Sequence, residues 1–334
     1  MGAFFINQGK NILITFLVAK LVIEGSLTLG MMLAIQYIIG QLNGPIEQLV
    51  GFSQQAQDAK ISLERLNDIH SLDDEEPVHK ESNHSLPTVH SIHIRNLSFT
   101  YPGAGNEPVL KNINLTIPQG KVTAIVGMSG SGKTTLVKLL LRFYENYKGE
   151  IHAGTVNFKS ISPKYWRSVS GAVMQDSFIF NDNIRKNITV TDDKIDTERL
   201  MNACKTANIL SFIESMPLGF YTKLGAEGNG ISGGQKQRLS IARAVYKNPQ
   251  FMFFDEATNS LDANNEKVIL QNLQEFFENK TVVVVAHRLS TVKNADKIVV
   301  LENGELVEEG THVELSLRKG KYYELVKNQL ELGN

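Results

Sequence analysis

The sequence is poor in cysteine and has no surplus of either charge. Cys204 is the single cysteine in 334 residues, and 34 basic residues are balanced by 35 acidic ones. A lone cysteine excludes an intramolecular disulfide and any metal site made of several thiolates. A balanced charge gives no support to a nucleic-acid partner, which a basic surface would attract. We therefore expect no nucleic acid among the partners, while a small phosphorylated ligand is compatible with this composition.

Charge is scarcest at the amino-terminal end of the chain. The charged residues between positions 1 and 57 are Lys10, Lys20, Glu24 and Glu47. Apolar stretches here predict helices at about 3–23 and 27–50, near membrane-spanning length. A stripe of apolar residues spaced three or four apart then predicts a helical extension to residue 69.

We interpret residues 1–69 as a partial transmembrane domain whose chain ends both face the cytoplasm. The connection at 24–26 has no basic residue, whereas Lys60 and Arg65 follow the second stretch, and basic residues favour the cytoplasmic side. The expected location is the inner or plasma membrane, in a multi-pass protein. A pair of buried helices in a soluble domain, or a cleaved signal segment, are the alternatives.

Residues 70–89 contain two prolines and many charges without an apolar period, which is typical of a linker. From residue 90 to 334, short β-type runs alternate with helical ones, which predicts an α/β domain. The runs 122–126, 251–254 and 281–286 are continuously apolar, as in parallel strands buried on both faces. Asn303-Gly304 predicts a terminal hairpin, followed by one helix at roughly 313–331.

A glycine-rich loop follows the first of these apolar runs and precedes a helical pattern. Its pattern is that of a phosphate-binding loop, in which glycine N–H groups surround phosphate oxygens at a helix N-terminus. Lys133 supplies a cation, and the Thr134 hydroxyl suits Mg²⁺. The sequence therefore predicts an ATP site formed by Gly127, Met128, Ser129, Gly130, Ser131, Gly132, Lys133, Thr134 and Thr135.

Polar residues end the other two runs, at the sheet edge where parallel sheets bind ligands. Asp255 suits Mg²⁺, and Glu256 is placed to act as the general base toward the attacking water. His287 could donate to a γ-phosphate or to Glu256. Gln175 follows another short run, and its amide could reach Mg²⁺ or the water. We predict Glu256, His287 and Gln175 as catalytic, and Thr134, Gln175 and Asp255 as metal ligands.

Between these elements the sequence reads Gly230-Ile-Ser-Gly-Gly-Gln235, which resembles the signature motif of ABC ATPases. The order of the motifs is also that of the family, and the resemblance covers essentially all of 90–330. It implies a P-loop NTPase fold of ABC type, with a mostly parallel core sheet, helices on both faces, and antiparallel β and helical subdomains behind an α-helical membrane hairpin. It also implies that Tyr101 stacks on adenine and that Asp262 links two sites.

The resemblance further implies a head-to-tail homodimer or heterodimer. Two ATP molecules would each lie between one subunit's phosphate loop and the other subunit's signature, formed by Ser232, Gly233, Gly234 and Gln235. Two departures from the common family pattern, Ile231 and Ser260, conserve residue size.

The amino-terminal part resembles the last membrane helices of exporters that fuse a membrane domain to an ATPase, most of all bacteriocin or peptide exporters with a cysteine peptidase. On this resemblance the peptidase and four of six membrane helices would lie outside this sequence. We expect the ATPase subunit or carboxyl-terminal portion of an ABC exporter for peptides. The alternatives are a soluble ABC ATPase, a regulatory module without turnover, and a truncated transporter fragment that binds ATP without transporting.

Overall fold

The structure is a computed structural model that describes residues 2–71, 75, 90–103, 105–176, 178–190, 194–225, 228, 230–257, 261–286 and 288–332. The chain separates into two compact units, residues 1–75 and 76–334. Most of the predicted linker at 70–89 lies outside the described residues.

The first unit contains two helices, α1 (Gly2–Ile23) and α2 (Leu29–His70). Helix α2 is 42 residues long and continues through Pro45. The Lys10 ammonium of α1 donates to the Asn43 amide oxygen of α2 at 3.0 Å. In the described part of the chain, the combination of length and apolar character that crossing a bilayer requires is not met by any helix.

The second unit is an α/β structure. Its strands are β1 (Ile92–Phe99), β2 (Leu110–Ile117), β3 (Val122–Val126), β4 (Lys148–Ala153), β5 (Val156–Asn157), β6 (Ser170–Val173), β7 (Phe251–Asp255), β8 (Thr281–Val285), β9 (Lys297–Glu302) and β10 (Glu305–Gly310). Its helices are α3 (Lys133–Leu140), α4 (Pro163–Val169), α5 (Ile184–Thr189), α6 (Thr197–Thr206), α7 (Leu210–Ser215), α8 (Gly233–Lys247), α9 (Ala263–Phe277), α10 (Leu289–Val292), α11 (His312–Arg318) and α12 (Lys321–Leu332). Short 3₁₀ turns lie at Phe158–Ser160 and Gly219–Tyr221.

The strands form two sheets. The larger has the order β10-β9-β3-β8-β7-β6, and its neighbours are parallel except for the β9–β10 hairpin. The smaller sheet is antiparallel, with the order β2-β1-β4-β5. The prediction of a mostly parallel core sheet with an antiparallel β part is therefore confirmed.

Each central strand of the larger sheet is buried on both faces, which explains its continuous apolar sequence. In β7, Phe251 and Phe253 pack with the smaller sheet and α3, whereas Met252 and Phe254 pack with residues of α6, α8 and α9. Trp166 is fully buried on the same face of the sheet as Phe251 and Phe253, and it donates its indole N–H to the Leu140 carbonyl at 2.8 Å. The two apolar layers thus hold the strand ends in fixed positions.

The β9–β10 hairpin forms as predicted, because Asn303 and Gly304 both have positive φ, at 51° and 83°, as a type I′ turn requires. The prediction of one helix at 313–331 is wrong. Lys319 is left-handed, and the chain divides there into α11 and α12. The Glu308 carboxylate accepts the N–H groups of Lys321 and Tyr322, both at 3.0 Å, and so caps a new helix start.

Candidate functional site: a nucleotide-binding site

The phosphate loop connects the end of β3 at Val126 to the start of α3. Its glycines are required by close packing as well as by backbone conformation. A Cβ on Gly127 would lie 2.2 Å from the Leu301 carbonyl oxygen, and one on Gly132 would lie 2.6 Å from the Leu110 side chain. Gly130 has a positive φ of 80° with open space around it. Only a glycine-rich sequence can therefore follow this path.

Lys133 lies buried inside the loop. Its ammonium donates to the carbonyls of Gly127 at 2.9 Å and Met128 at 2.8 Å. Burial lowers the Lys133 pKa, and the nearby Glu256 and Asp255 carboxylates oppose that shift. Since a cation bonds more strongly to an anionic oxygen than to a carbonyl, the ammonium is well placed to exchange these partners for a phosphate.

Asp255 ends strand β7 and is fully buried. One carboxylate oxygen accepts the Thr134 hydroxyl at 3.2 Å, while the other, Oδ2, is buried without a hydrogen-bond partner. Burial is the main cause that raises the Asp255 pKa. A buried carboxylate with an unused oxygen beside a hydroxyl is an all-oxygen donor set, which suits a hard cation such as Mg²⁺.

Glu256 is held in an unusual backbone conformation, with φ at 52°. Its N–H donates to the Val285 carbonyl at 3.3 Å, and its carbonyl accepts the Gln237 side-chain amide at 3.0 Å. Non-glycine residues in this region cost free energy and persist where the surroundings hold them, often at functional sites. The sequence analysis missed Gln237. A polar residue on the buried face of the amphipathic helix α8 was the available signal.

Tyr101 follows strand β1, and its side chain reaches the first turn of α3. Its hydroxyl is 3.0 Å from the Thr135 hydroxyl, and its ring meets Phe99 and Tyr144 edge to face, with centroids 5.0 and 5.3 Å away. Such edge contacts stabilise an aromatic pair by about 0.5–1.5 kcal/mol beyond burial. The half-buried Tyr101 ring is thus fixed next to the phosphate loop.

The signature segment opens helix α8. Ser232 accepts the Gln235 N–H at 3.3 Å, and Gln235 accepts the Ser232 N–H at 2.7 Å, which forms a complete capping box. Ser232 and Gly233 are exposed, whereas Gly234 and Gln235 are half-buried. Among the described residues, no hydrogen bond or ion pair joins this segment to the phosphate loop at 127–135. The chain brings together the loop, Tyr101, Asp255 and Glu256, but not the signature.

Two predicted site residues that the structure describes, Gln175 and Asp262, lie outside this cluster of contacts. Gln175 is exposed two residues after β6, at the same sheet edge as Asp255, because Val173 pairs with Phe254 in parallel register. Asp262 is exposed and caps helix α9. His287 lies outside the described residues.

The comparisons with known proteins agree with this geometry. A sequence profile described as "ABC transporter" matches residues 110–259. The chain is 40% identical over 333 residues to the leukotoxin translocation ATP-binding protein LktB of Mannheimia haemolytica. The alignment covers 99% of this chain and 46% of that protein. The LktB of Bibersteinia trehalosi has the same identity and coverage. The chain thus spans about half the length of the curated relatives it matches.

A solved structure of a bacterial Atm1-family ABC exporter with ATP bound is similar to the chain, with a TM-score of 0.75 and 31% identity. The similarity covers 98% of this chain and 58% of that one. The profile lies on the elements that build the site, from β2 to the residues after Glu256. The chain therefore contains an ABC transporter domain at residues 110–259, and its relatives are named as ATP-binding proteins.

Proposed function

We propose that this chain is the ATPase portion of an ABC exporter that works as a dimer, with each ATP shared between one subunit's phosphate loop and the other subunit's signature. The observation that carries the proposal is the signature's own bonding. Ser232 and Gln235 satisfy each other and lie at an exposed helix start. A helix N-terminus of this kind attracts anions, and the partner's nucleotide is the anion that the family's arrangement supplies.

In the proposed site, Lys133 and the loop amides hold the phosphates, and Tyr101 receives the adenine. Mg²⁺ would be held by Thr134, Asp255 and Gln175. Between described residues no group of three or more histidine, cysteine or acidic side chains converges on a metal site, so the ion would share phosphate oxygens, as Mg²⁺ commonly does. When bound, the ion supplies neutralisation of the charge that develops on the phosphates.

Glu256 would orient and deprotonate the attacking water. The hydrogen bonds of its backbone N–H and carbonyl hold the position from which its side chain extends. Gln175 and His287 would assist at the same edge of the sheet. Asp262 would carry communication between the two ATP molecules. These roles come from the family resemblance, and the contacts of Glu256 with Val285 and Gln237 support the role of that residue.

We further propose a membrane-embedded partner for the first unit and a peptide or protein cargo. Both helices of that unit expose large apolar side chains, including Phe16, Tyr37, Leu49 and Phe52, which is unusual for a helix pair surrounded by water. The name of LktB refers to translocation of a leukotoxin. A polypeptide is therefore the cargo class that the relatives favour.

Glu256→Gln tests the proposed chemistry. We expect ATP turnover to fall roughly 10²- to 10⁴-fold, the range for loss of a general base, while ATP binding is kept and the dimer accumulates. The matched control is Glu275→Gln, an exposed glutamate on α9, which should turn over ATP normally. Unchanged turnover in Glu256→Gln would remove Glu256 from its assigned role, and a wild-type chain that binds ATP without turnover would favour the regulatory module.

A further inference from the structure

A polar network joins the start of helix α9 to the signature helix α8. The Asp262 carboxylate accepts the Asn265 N–H at 3.0 Å and the Asn265 side-chain amide at 2.6 Å. The Asn265 amide oxygen then accepts the Asn208 side chain at 2.7 Å and, at 3.5 Å, the Arg238 guanidinium. That guanidinium also donates to the Asn208 carbonyl at 2.8 Å. Asn265 is the residue that touches both Asp262 and the α8 cation.

The network uses more of Asn265 than a helix cap needs. The cap itself requires the backbone N–H of the third helical residue, and any residue would supply that group. The Asn265 side chain instead donates to Asp262 and accepts from Asn208, which follows α6, and from Arg238 of α8. The charged forms of both end residues are favoured by these contacts. The hydrogen bonds from Asn265 lower the Asp262 pKa. Burial lowers the Arg238 pKa, and the Asp262 charge partly offsets that shift.

The two ends of the network are associated with different ATP sites of the proposed dimer. Asp262 follows Asp255 and Glu256 in the sequence, on the connection from β7 to α9, so this connection links it to the subunit's own phosphate site. Arg238 lies in the second turn of the helix that Ser232 opens, and this helix start serves the partner's ATP in the proposed dimer. The Asn265 amide side chain therefore connects the two ends of the network.

We propose that Asn265 is a positioning residue that couples the two ATP sites of the dimer, by linking Asp262 to the signature helix of the same chain. This inference rests on the shared-site arrangement proposed above. A second α9 asparagine allows a structural role to be separated from a coupling role. Asn272 donates to the Lys205 and Thr206 carbonyls at 3.3 and 3.2 Å, and so ties α9 to α6 without contact to Asp262.

The test compares Asn265→Ala with two matched variants of the 334-residue chain. Asn264→Ala removes an exposed neighbouring asparagine, and Asn272→Ala removes the tie to α6. ATP turnover is measured against ATP concentration, together with the dissociation constant for ATP and the melting temperature. We expect Asn265→Ala to lower the Hill coefficient toward about 1 and turnover about five- to tenfold, with the ATP dissociation constant changed less than about twofold.

Asn264→Ala should match the wild type, and Asn272→Ala should lower the melting temperature while keeping the wild-type Hill coefficient. Asn265→Gln, which keeps both amide groups on a longer stem, should restore part of the cooperativity. If Asn265→Ala behaves like Asn272→Ala, the coupling inference is wrong and the shared site is unaffected. If the wild type itself shows no turnover or no cooperativity, the shared-site proposal fails.

Discussion

The phosphate-loop side and the signature side of the nucleotide machinery differ in how completely the chain satisfies their polar groups. On the first side, Lys133 is held by carbonyls, Glu256 has a left-handed backbone, and Asp255 has a buried oxygen without a partner. On the second side, Ser232 and Gln235 satisfy each other in a capping box at the surface. The first side therefore has a buried polar group whose hydrogen bonding is incomplete, whereas the capping groups of the second side are satisfied without a ligand.

This difference indicates how the two sides should respond to substitution. Residues held in costly arrangements at a functional site commonly lower stability in favour of activity. A self-capped helix start has no such conflict, because in the proposed dimer the serine that stabilises the helix would also face the anion.

Lys133→Ala should have the largest effect on ATP affinity, a loss of about 10- to 100-fold, because a hydrogen bond to a charged group is worth about 1.5–3 kcal/mol. Isothermal titration with a slowly hydrolysed ATP analogue measures it. Lys138→Ala, at the other end of α3, is the control and should bind normally. An affinity equal to that of the wild type would contradict the role of the loop.

Ser232 allows capping to be separated from anion binding. Asparagine and aspartate both cap helices well, but only aspartate places a negative charge against the partner's phosphate. Ser232→Asp should therefore lose turnover roughly 100-fold or more, since like-charge contacts cost several kcal/mol, while Ser232→Asn loses much less. Equal melting temperatures would show that the cap is intact in both. Equal turnover would contradict a phosphate opposite Ser232.

Asp255→Asn should stabilise the nucleotide-free protein by about 1 kcal/mol, since it removes a buried charge that is only partly hydrogen-bonded. Because burial raises the folded-state pKa of Asp255, its stability contribution is fully present below the ordinary aspartate pKa and is lost as pH rises through the raised value. The gain should therefore be larger at neutral than at acidic pH in urea unfolding, while Mg²⁺-dependent turnover is lost. A destabilised variant at neutral pH would oppose this account.

Tyr101→Leu should have the smallest effect, a two- to tenfold loss of ATP affinity by the roughly 0.5–1.5 kcal/mol of an aromatic contact. Tyr101→Phe keeps the ring and loses only the hydroxyl bond to Thr135, so its affinity should stay closer to that of the wild type. Binding of ATP and of inorganic triphosphate is compared by titration. If Tyr101→Leu weakens both equally, the ring does not face the base.

Local sequence rules predicted the elements that depend on neighbouring residues. The apolar runs of β3, β7 and β8 form strands, and Asn303-Gly304 forms its turn, because burial and turn chemistry act within a few positions. The break at Lys319 was missed because the carboxylate that caps the new helix, Glu308, comes from strand β10. The backbone position of Glu256 depends on Gln237 from α8, and the Asn265 network joins residues of α8 and α9 to Asn208, which follows α6. Interactions of that range leave no periodic trace in a sequence.

Two glycines described above have a consequence for how this domain can be rebuilt. A Cβ on Gly304 would lie 2.3 Å from the Val109 carbonyl oxygen, and one on Gly132 would lie 3.2 Å from that same oxygen. The hairpin turn and the phosphate loop therefore both pack closely against the Val109 carbonyl, immediately before β2. A graft that replaces the antiparallel sheet with that of a relative must keep both glycines and the length of the chain around Val109. An insertion there would disturb the loop and the hairpin together, so these three segments should be exchanged between relatives as one block.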